Sequence, residues 1–237
     1  MISTNGVFRL VYEDASWYFG KQMLLFITIP LTFVWIILGF LFELDHKTIA
    51  AISGPAYFFV AGFGLFGFKP LFALSIAMGS TRIQFLKKYL SVSVAAVTLS
   101  ILCLNVCQFA LVMIYKWNNV EAKILHPASL LLNEYQFFPY LWVDLMVGIA
   151  LFGFTFLFYA IFYRVGFTRS LITLMIVTIA GLFLYYGNIL TTIFNWLWNI
   201  EMNALANATI LGLLSLGALF ATYPMLRNAP LHPKPKR

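Results

Sequence analysis

Long apolar stretches separated by short polar ones dominate the chain. A helix needs roughly 20 mostly apolar residues to cross a hydrocarbon core about 30 Å thick. Stretches of this kind, bounded by charged or turn-forming residues, predict transmembrane helices at residues 22–42, 49–68, 89–115, 139–163, 170–187 and 204–223. The pattern therefore predicts one all-α integral membrane domain over residues 1–237, with six spans and a basic tail at 224–237.

Two segments outside these spans also repeat apolar residues with a helical period. The stripe from Phe8 to Tyr18 predicts a helix over residues 1–21 that lies in the membrane interface, and a frayed start of the first span is the alternative. Polar residues recur every three or four positions in residues 188–205. They favour an amphipathic or re-entrant helix between the fifth and sixth spans over a simple continuation of the fifth span.

A shorter apolar stretch lies between the second and third spans. Pro70 suits the first turn of a helix, where its missing N–H is not needed, and Gly79 suits the position just past a helix end. Thr81 and Gln84 have the spacing of a capping box at the start of the third span. These signals predict a short helix from Pro70 to Met78, separate from both of its neighbours.

This short helix is apolar and is flanked by basic residues, namely Lys69, Arg82, Lys87 and Lys88. It could lie on the membrane as a surface anchor, or it could fit a groove on a soluble partner. A helix of about nine residues buries little apolar area in lipid. Its length therefore favours the groove, but both interpretations stay open.

Composition and charge define the class of protein and its orientation. Hydrophobic residues make up 62% of the 237 residues and charged residues 10%, which is typical of an integral membrane protein. One side of the predicted bundle holds 12 of the 15 basic residues: Arg9, Lys21, Lys69, Arg82, Lys87, Lys88, Arg164, Arg169, Arg227, Lys234, Lys236 and Arg237. Because cytoplasmic loops retain positive charge, both termini are expected in the cytoplasm of a cell-membrane protein. The net charge of +7 fits anionic lipid headgroups and not nucleic acid.

The sequence lacks motifs for chemistry. It contains no G-x-x-x-x-G-K-[ST] loop, so we do not expect this chain to bind or hydrolyse ATP. Its three histidines, His46, His126 and His232, lie in separate loops and in the C-terminal tail, and no H-E-x-x-H pair is present. We expect no enzymatic activity, metal or cofactor in this chain.

Three further features have more than one interpretation. Asp144 is the one acidic residue inside a predicted span, which makes it a functional candidate, but its position near the outer end favours a hydrated structural role. Gly148 and Gly153 in the same span permit close helix packing, either within the chain or at a dimer seam. Cys103 and Cys107 lie four residues apart on one predicted helix, a spacing that disfavours a disulfide.

The order of these parts resembles the permease subunit of an ATP-binding-cassette exporter, in the type-two class of bacterial permeases. Such permeases have an interfacial helix, two spans, a short cytoplasmic helix, two more spans, a basic loop and re-entrant helices before the last span. The stretch FALSIAMGSTRIQFLKKYL at 72–90 resembles the coupling region of small Gram-positive peptide and drug exporters. The stretch FYRVGFTR at 162–169 resembles their second cytoplasmic loop.

The resemblance implies which residues contact a partner. In the family, the helix between the second and third spans docks into a groove on a cassette ATPase. Carried over to this sequence, the coupling residues are Pro70, Leu71, Phe72, Leu74, Ser75, Ile76, Met78 and Gly79, with Arg82 on the rim. Glu13 and Asp14 on the interfacial helix would form a second partner contact. ATP and Mg would be bound by the partner, and no substrate motif is recognised in the spans.

The resemblance also implies an assembly and a function. Two copies of the ATPase subunit would join two permeases, either identical or related, in a membrane dimer. The complex would export an amphipathic or hydrophobic substrate such as a peptide, a toxin, an antibiotic or a lipid-like molecule, with a role in peptide export, antibiotic resistance or immunity. The alternative is an ATP-independent immunity protein or small channel, in which the short helix lies on the lipid surface.

Overall fold

The computed structural model describes residues 4–42, 44, 48–132, 135–189 and 203–228. Most of these residues are helical. Along the chain the elements are α1 (Thr4–Ala15), a π-helical segment (Ser16–Thr28), α2 (Ile29–Leu41), β1 (Ile49–Ala51), α3 (Ser53–Phe66), α4 (Phe68–Ala77), α5 (Arg82–Trp117), β2 (Lys123–Leu125), a 3-10 helix (Pro127–Leu130), α6 (Phe137–Val165), α7 (Phe167–Tyr186) and α8 (Ala204–Arg227).

The predicted class is confirmed, because the described helices include enough long apolar ones for a multi-pass membrane protein. Five helices are long and apolar enough to cross a membrane: Gly6–Leu41, Arg82–Trp117, Phe137–Val165, Thr168–Tyr186 and Ala204–Arg227. The bent pair of α3 and α4 also passes the test for a span, which brings the number to as many as six. The chain is therefore an α-helical membrane protein, and its described residues also include one short strand pair.

The N-terminal helix continues into the first span without a break. The backbone keeps helical angles at both junctions of the π-helical segment, with φ −62° and ψ −40° at Ala15 and φ −65° and ψ −48° at Thr28. The predicted boundary between residues 21 and 22 therefore lies inside one continuous helix. No glycine cap or proline stops the helix at that boundary, and hydrogen-bonded turns propagate readily once a helix has formed.

The second span differs from the prediction at both ends. Residues 49–51 form a strand and the helix begins only at Ser53. α4 is not separated from α3 by a loop, since the two helices meet at Gly67 with a bend of 41°. Pro70 explains the bend: it has no N–H to donate to the carbonyl of Phe66, and its ring crowds that carbonyl. The proline therefore lies in the first turn of α4, two residues after the start.

The turn from α4 to α5 is the one that the sequence predicted. Gly79 has a φ of +88°, a conformation that glycine adopts without strain. Gln84 donates its backbone N–H to the Thr81 hydroxyl oxygen at 3.3 Å, and its side-chain oxygen accepts from the Thr81 N–H at 3.3 Å. The predicted capping box is confirmed. α4 therefore ends at a defined turn, and α5 starts in a new direction.

Aromatic rings join α3, α4, α5 and α6 at the end of the bundle where α5 begins. The Phe68 ring lies 5.2 Å from that of Tyr89 and 5.6 Å from that of Phe156, between centroids. We call this group the aromatic cluster; it consists of Phe63, Phe68, Phe72, Phe85, Tyr89, Phe152, Phe156, Tyr159 and Tyr163. We call the end of the bundle where this cluster lies the basic end, because Lys69, Arg82, Lys87, Lys88 and Arg164 lie at or near it.

The opposite end is held by backbone pairing and hydrogen bonds. β1 and β2 form a parallel pair with Ala50 opposite Ile124. The hydroxyl of Ser53 donates to the carbonyl of Leu125 at 3.0 Å, and that of Tyr115 donates to the carbonyl of Trp35 at 2.7 Å. We call this the polar end. The first bond ties the connection between α5 and α6 to α3, and the second ties α5 to α2.

α6 and α8 approach each other closely at a glycine. A Cβ added to Gly153 would lie 2.7 Å from the carbonyl oxygen of Ser215 on α8. A Cβ at Gly148 would lie 2.8 Å from the side chain of Ile101 on α5. Both glycines therefore contact helices of the same chain, as small residues do in packed membrane helices. The sequence left two interpretations open for these glycines, packing within the chain and packing at a dimer seam, and the contacts agree with the first.

Some predicted segments lie outside the described residues. Residues 190–202 hold most of the helix predicted for 188–205, and residues 229–237 hold most of the basic tail predicted for 224–237. α8 extends to Arg227, one turn past the predicted end of the sixth span at residue 223. The first residues of the predicted tail are therefore helical.

Replacing Gly153 by alanine is expected to destabilise the bundle by about 1–3 kcal/mol, because the new methyl group forces the α6 and α8 backbones apart. Gly217→Ala is the matched control, since a Cβ at Gly217 on α8 meets nothing within 4 Å. The control is expected to be neutral or slightly stabilising. Thermal unfolding of both variants in the same detergent tests this, and equal melting temperatures would contradict the close approach.

Candidate functional site

The candidate coupling helix α4 lies at the basic end of the bundle and ends in a turn closed by hydrogen bonds. Its end is closed by the N–H of Met78, which donates to the carbonyl of Leu74 at 3.0 Å. The hydroxyl of Ser80 donates to the carbonyl of Ser75 at 2.8 Å and also contacts the hydroxyl of Ser75. The backbone of the turn is thus satisfied internally, as a partly buried turn requires. A force on α4 would act on a stiff element.

The expected coupling residues fall on two faces of α4. One face is buried in the chain itself: Leu71 is 5% exposed, Phe72 1% and Ser75 0%. The other face is open, with Leu74 48% and Met78 37% exposed. Ile76 is half-buried, and Pro70 and Gly79 are exposed. A partner that docks on α4 would therefore contact the Leu74 and Met78 face.

Phe72 is the main correction to the predicted site. The sequence predicts that it fills a groove on a partner, but the ring packs inside this chain, 5.1 Å from the Phe68 ring and 5.5 Å from the Phe85 ring. A ten-residue helix that is apolar on nearly every side does not reveal which side faces inward. An acidic residue at position 72 would disrupt the core, so its effect on partner binding would not report on docking.

The rim around α4 is basic. Lys69 and Lys87 are exposed, and Arg82 is half-buried in the first turn of α5. The ammonium group of Lys88 lies 5.9 Å from the centre of the Phe8 ring, a cation–π distance that ties α5 to α1. The exposed face of α4 is thus a small apolar patch, with Lys69 in the same helix and Arg82 and Lys87 in the first turns of the next one. Acidic groups on a protein or on lipid headgroups would complement this rim.

The proposed second contact lies on α1, which packs against α4 and α5. Glu13 is exposed and accepts a hydrogen bond from Arg9 at 2.7 Å, one helical turn away. Asp14 is half-buried on the neighbouring side of the helix. Of the two acids, Glu13 is therefore the more accessible to a partner. Its bond to Arg9 is an exposed ion pair, which contributes little to stability.

A buried acid–base pair at the polar end was missed by sequence reasoning. Asp144 on α6 and His126, just before the 3-10 helix, are both fully buried, and Oδ2 of Asp144 contacts Nδ1 of His126. The other carboxylate oxygen accepts the backbone N–H of Ala128 at 3.3 Å. The expectation that Asp144 is hydrated is therefore wrong, because the segment 126–130 covers it.

Other groups complete this site. The hydroxyl of Tyr57 donates to the backbone carbonyl of Asp144 at 3.5 Å, and its ring stands edge-on to the His126 ring at 6.4 Å. Nε2 of His126 has no hydrogen-bond partner among the described residues. The only sequence signal was the acid itself inside a span. His126 lies 18 positions before Asp144, in a connection with no motif, so the spacing of the two residues did not reveal that they pair.

The described residues contain no cluster of three or more His, Cys, Asp or Glu side chains able to hold a metal. Cys103 and Cys107 are free and half-buried. No protein-family model, curated protein or solved structure matches this chain. The expected membership of an exporter permease family therefore stays a prediction, and the functional proposal is based on the geometry of α4.

The His126–Asp144 pair predicts a specific pattern of stability. Asp144→Asn or His126→Gln is expected to lower the free energy of unfolding by about 3 kcal/mol, because each leaves a buried polar partner without its counterpart. The double variant is expected to lose less than the sum of the two, since it removes both partners. Thermal or denaturant unfolding of the wild type, the two single variants and the double variant in detergent measures this difference in stability.

The exposed Arg9–Glu13 pair supplies the control for this cycle. Glu13→Gln breaks a contact of the same type at the surface, so it is expected to leave stability nearly unchanged. Additive losses at His126 and Asp144, each as small as that at Glu13, would show that the two side chains do not depend on each other.

Proposed function

We propose that this chain is the transmembrane subunit of an ATP-driven exporter, and that α4 is the helix through which a separate cassette ATPase drives it. The observation that carries the proposal is the division of α4 into two faces. Leu74 and Met78 are open to a partner, while Phe72 and Leu71 are packed into the bundle. A helix that transmits force needs both an external contact and an internal one.

The surroundings of α4 fit a docking role. The patch is small and apolar, with basic residues at its rim and a rigid turn at its end, which suits insertion of a short helix into a groove. Under this proposal the basic end faces the cytoplasm, where the ATPase and its ATP and Mg are found. This agrees with the distribution of Lys and Arg among the loops.

The internal face of α4 suggests how the motion would spread. Phe72 contacts Phe85 on α5, and its ring centre lies 6.5 Å from that of Tyr163 near the end of α6. Packed rings do not compress, so displacement of α4 shifts these helices as units. In the proposed cycle, ATP closes two cassettes, α4 moves with one of them, and a cleft between two permease copies opens outward.

The proposed assembly requires a second permease, either identical or related. α7 packs against α6 and exposes most of its apolar side chains along its described length. This surface offers room for lipid and for a second membrane subunit. The substrate class stays that of the sequence-based expectation: an amphipathic or hydrophobic peptide, toxin, antibiotic or lipid-like molecule.

One alternative is favoured by a specific feature. Apolar Leu74 and Met78 beside Lys69 and Lys87 also match a bilayer surface, with its acyl chains and anionic headgroups. In that case the chain would be an ATP-independent immunity protein or small channel, and α4 would only anchor it. The two functions differ in whether an ATPase binds at this face.

The test is purification of the chain from its native host in mild detergent, with identification of bound proteins by mass spectrometry. A cassette ATPase is expected in near-equal amount. Leu74→Asp and Met78→Asp are each expected to reduce the bound ATPase by about tenfold or more, as loss of a central interface contact does. Both side chains are exposed, so the variants should still insert and fold.

Val165→Asp is the matched control, because Val165 is 42% exposed at the basic end but lies on α6 and not on α4. It is expected to retain the ATPase. Unchanged ATPase binding in the Leu74 and Met78 variants would contradict the docking role of α4. Recovery of the wild-type protein without an ATPase would favour the surface-anchor function.

A further inference from the structure

A groove with a volume of about 410 Å³ runs between α5 and the N-terminal helix formed by α1 and the π-helical segment. We call it the α1–α5 groove. It begins at Phe8 and Lys88, which meet at the basic end, and it reaches Leu24 and Cys103. Lys88 and Cys103 are about 22 Å apart along α5 at 1.5 Å per residue. The groove is therefore long and narrow, and it lies on two helices that are apolar enough to cross a membrane.

Small side chains leave this groove open. Gly20 forms part of its wall on the N-terminal helix, and Ala95 forms part of its wall on α5. A Cβ added to Gly20 would meet no atom of α5 within 4 Å, and its nearest neighbour would be the hydroxyl oxygen of Ser16 on its own helix at 3.9 Å. Leu99, at the edge of the groove, is 63% exposed. The space at Gly20 is therefore accessible and is not filled by a neighbouring helix.

The wall needs no hydrogen bonds from a ligand. The hydroxyl of Ser91 donates to the carbonyl of Lys87 at 2.9 Å, and that of Ser100 donates to the carbonyl of Val97 at 2.8 Å. The other hydroxyls of the wall belong to exposed side chains. A hydrocarbon chain can therefore cover the wall without burying an unpaired donor or acceptor, whereas a peptide would bring backbone groups that this wall does not satisfy.

Charge in the wall is confined to the basic end. Lys88 is the one charged residue of the wall over the part of the chain that the structure describes, and it is half-buried. Its ammonium group lies beside the Phe8 ring, and the described ion pairs, Arg9–Glu13 and His126–Asp144, do not include it. The other charged residues of these two helices near the groove are Arg9, Glu13, Asp14, Lys21, Arg82 and Lys87. Cations outnumber acids in this group, so the mouth of the groove attracts an anion.

We propose that the α1–α5 groove binds an acyl chain of an anionic phospholipid, with the headgroup phosphate at Lys88. The chain lies along Gly20 and Ala95, and the headgroup lies at the basic end. One leaflet of a bilayer has a hydrocarbon layer about 15 Å thick, half of the whole core, so the groove is long enough for a complete chain. An apolar wall with one cation at its end matches the division of a phospholipid into tail and headgroup. The proposal does not rest on ATP-driven export, since lipid binding needs no ATPase.

A membrane helix fits this groove less well than an acyl chain does. The volume and the length together give a mean cross-section of about 19 Å², whereas an α-helix with its side chains is about 10–12 Å across. A helix would therefore lie over the groove and leave the space at Gly20 empty, which forfeits packing contacts. A single flexible chain can enter that space.

The test is photo-crosslinking of the full chain in nanodiscs of dioleoylphosphatidylcholine. The probes are phosphatidylglycerol, which is anionic, and phosphatidylcholine, which has no net charge; both carry the same diazirine-bearing acyl chain and are added in trace amounts. Mass spectrometry locates the labelled residues. Phosphatidylglycerol is expected to label residues 16–24 and 91–103 about fivefold more than phosphatidylcholine does, because one lysine at the surface attracts an anionic lipid by about this factor. Labelling of α7, whose apolar side chains are mostly exposed, is the reference for unspecific contact with lipid.

Two outcomes with the wild type would overturn the proposal. Equal labelling of the groove by the two probes would show that no anionic headgroup is held at its mouth. Labelling of the groove by neither probe, with α7 labelled normally, would show that a second copy or another protein covers it.

A glycine variant locates the chain in the groove. Gly20→Leu is expected to remove most of the labelling by phosphatidylglycerol at residues 91–103, because the leucine side chain occupies the space of the acyl chain. The helix accepts leucine well, and the Cβ has room. Gly181→Leu on α7 is the matched control, since a Cβ at Gly181 also meets nothing within 4 Å and Gly181 does not line the groove. Unchanged labelling in Gly20→Leu would overturn the proposal.

A charge variant keeps the test decisive if Gly20→Leu does not fold. Lys88→Gln is expected to lower the preference for phosphatidylglycerol from about fivefold to nearly none, while labelling by phosphatidylcholine stays the same. Lys87→Gln is the matched control, because Lys87 is the adjacent residue but does not line the groove, and it should keep the preference. A full preference in Lys88→Gln, or an equal loss in Lys87→Gln, would overturn the assignment of the headgroup to Lys88.

Discussion

The packing of aromatic rings around Phe68 is the constraint on which the arrangement of the helices depends. In a bilayer, apolar side chains gain little by leaving lipid for a helix interface, so close packing decides how helices associate. Phe68 is fully buried and lies against rings from α4, α5 and α6. Aromatic pairs add about 0.5–1.5 kcal/mol each beyond the area that they bury. The cluster therefore fixes α4 relative to the spans.

The two ends of the molecule are held by different chemistry. Rings dominate the basic end, whereas the polar end uses the β1–β2 pairing, the bond from Ser53 to Leu125 and the His126–Asp144 pair. Directional bonds of this kind require their partners in place, since unsatisfied polar groups are costly where water is excluded. The connection between α5 and α6 is consequently an ordered cover over α6.

Local signals in the sequence predicted local structure well. The long apolar runs gave the spans, and the capping box of Thr81 and Gln84 gave the start of α5, because these features depend on neighbours within a few residues. The β1–β2 pairing, the His126–Asp144 pair and the inward face of α4 depend on tertiary contacts between distant segments. No periodicity encodes such contacts, so Phe72 was placed on the wrong face and His126 was not recognised as the partner of Asp144.

α5 connects the two ends of the bundle by its length alone. It is one continuous helix of 36 residues from Arg82 to Trp117, and it carries the capping box at the basic end and Tyr115 at the polar end. Arg82 and Tyr115 are about 50 Å apart at 1.5 Å per residue. A stiff helix moves as a unit, so a shift of α4 that displaces Phe85 would also displace the polar end of α5 relative to the cover formed by β2 and the 3-10 helix. Coupling between the two ends needs an element with two arrangements that both ends bias. The seam between α5 and this cover is the place in the fold where such an element would lie.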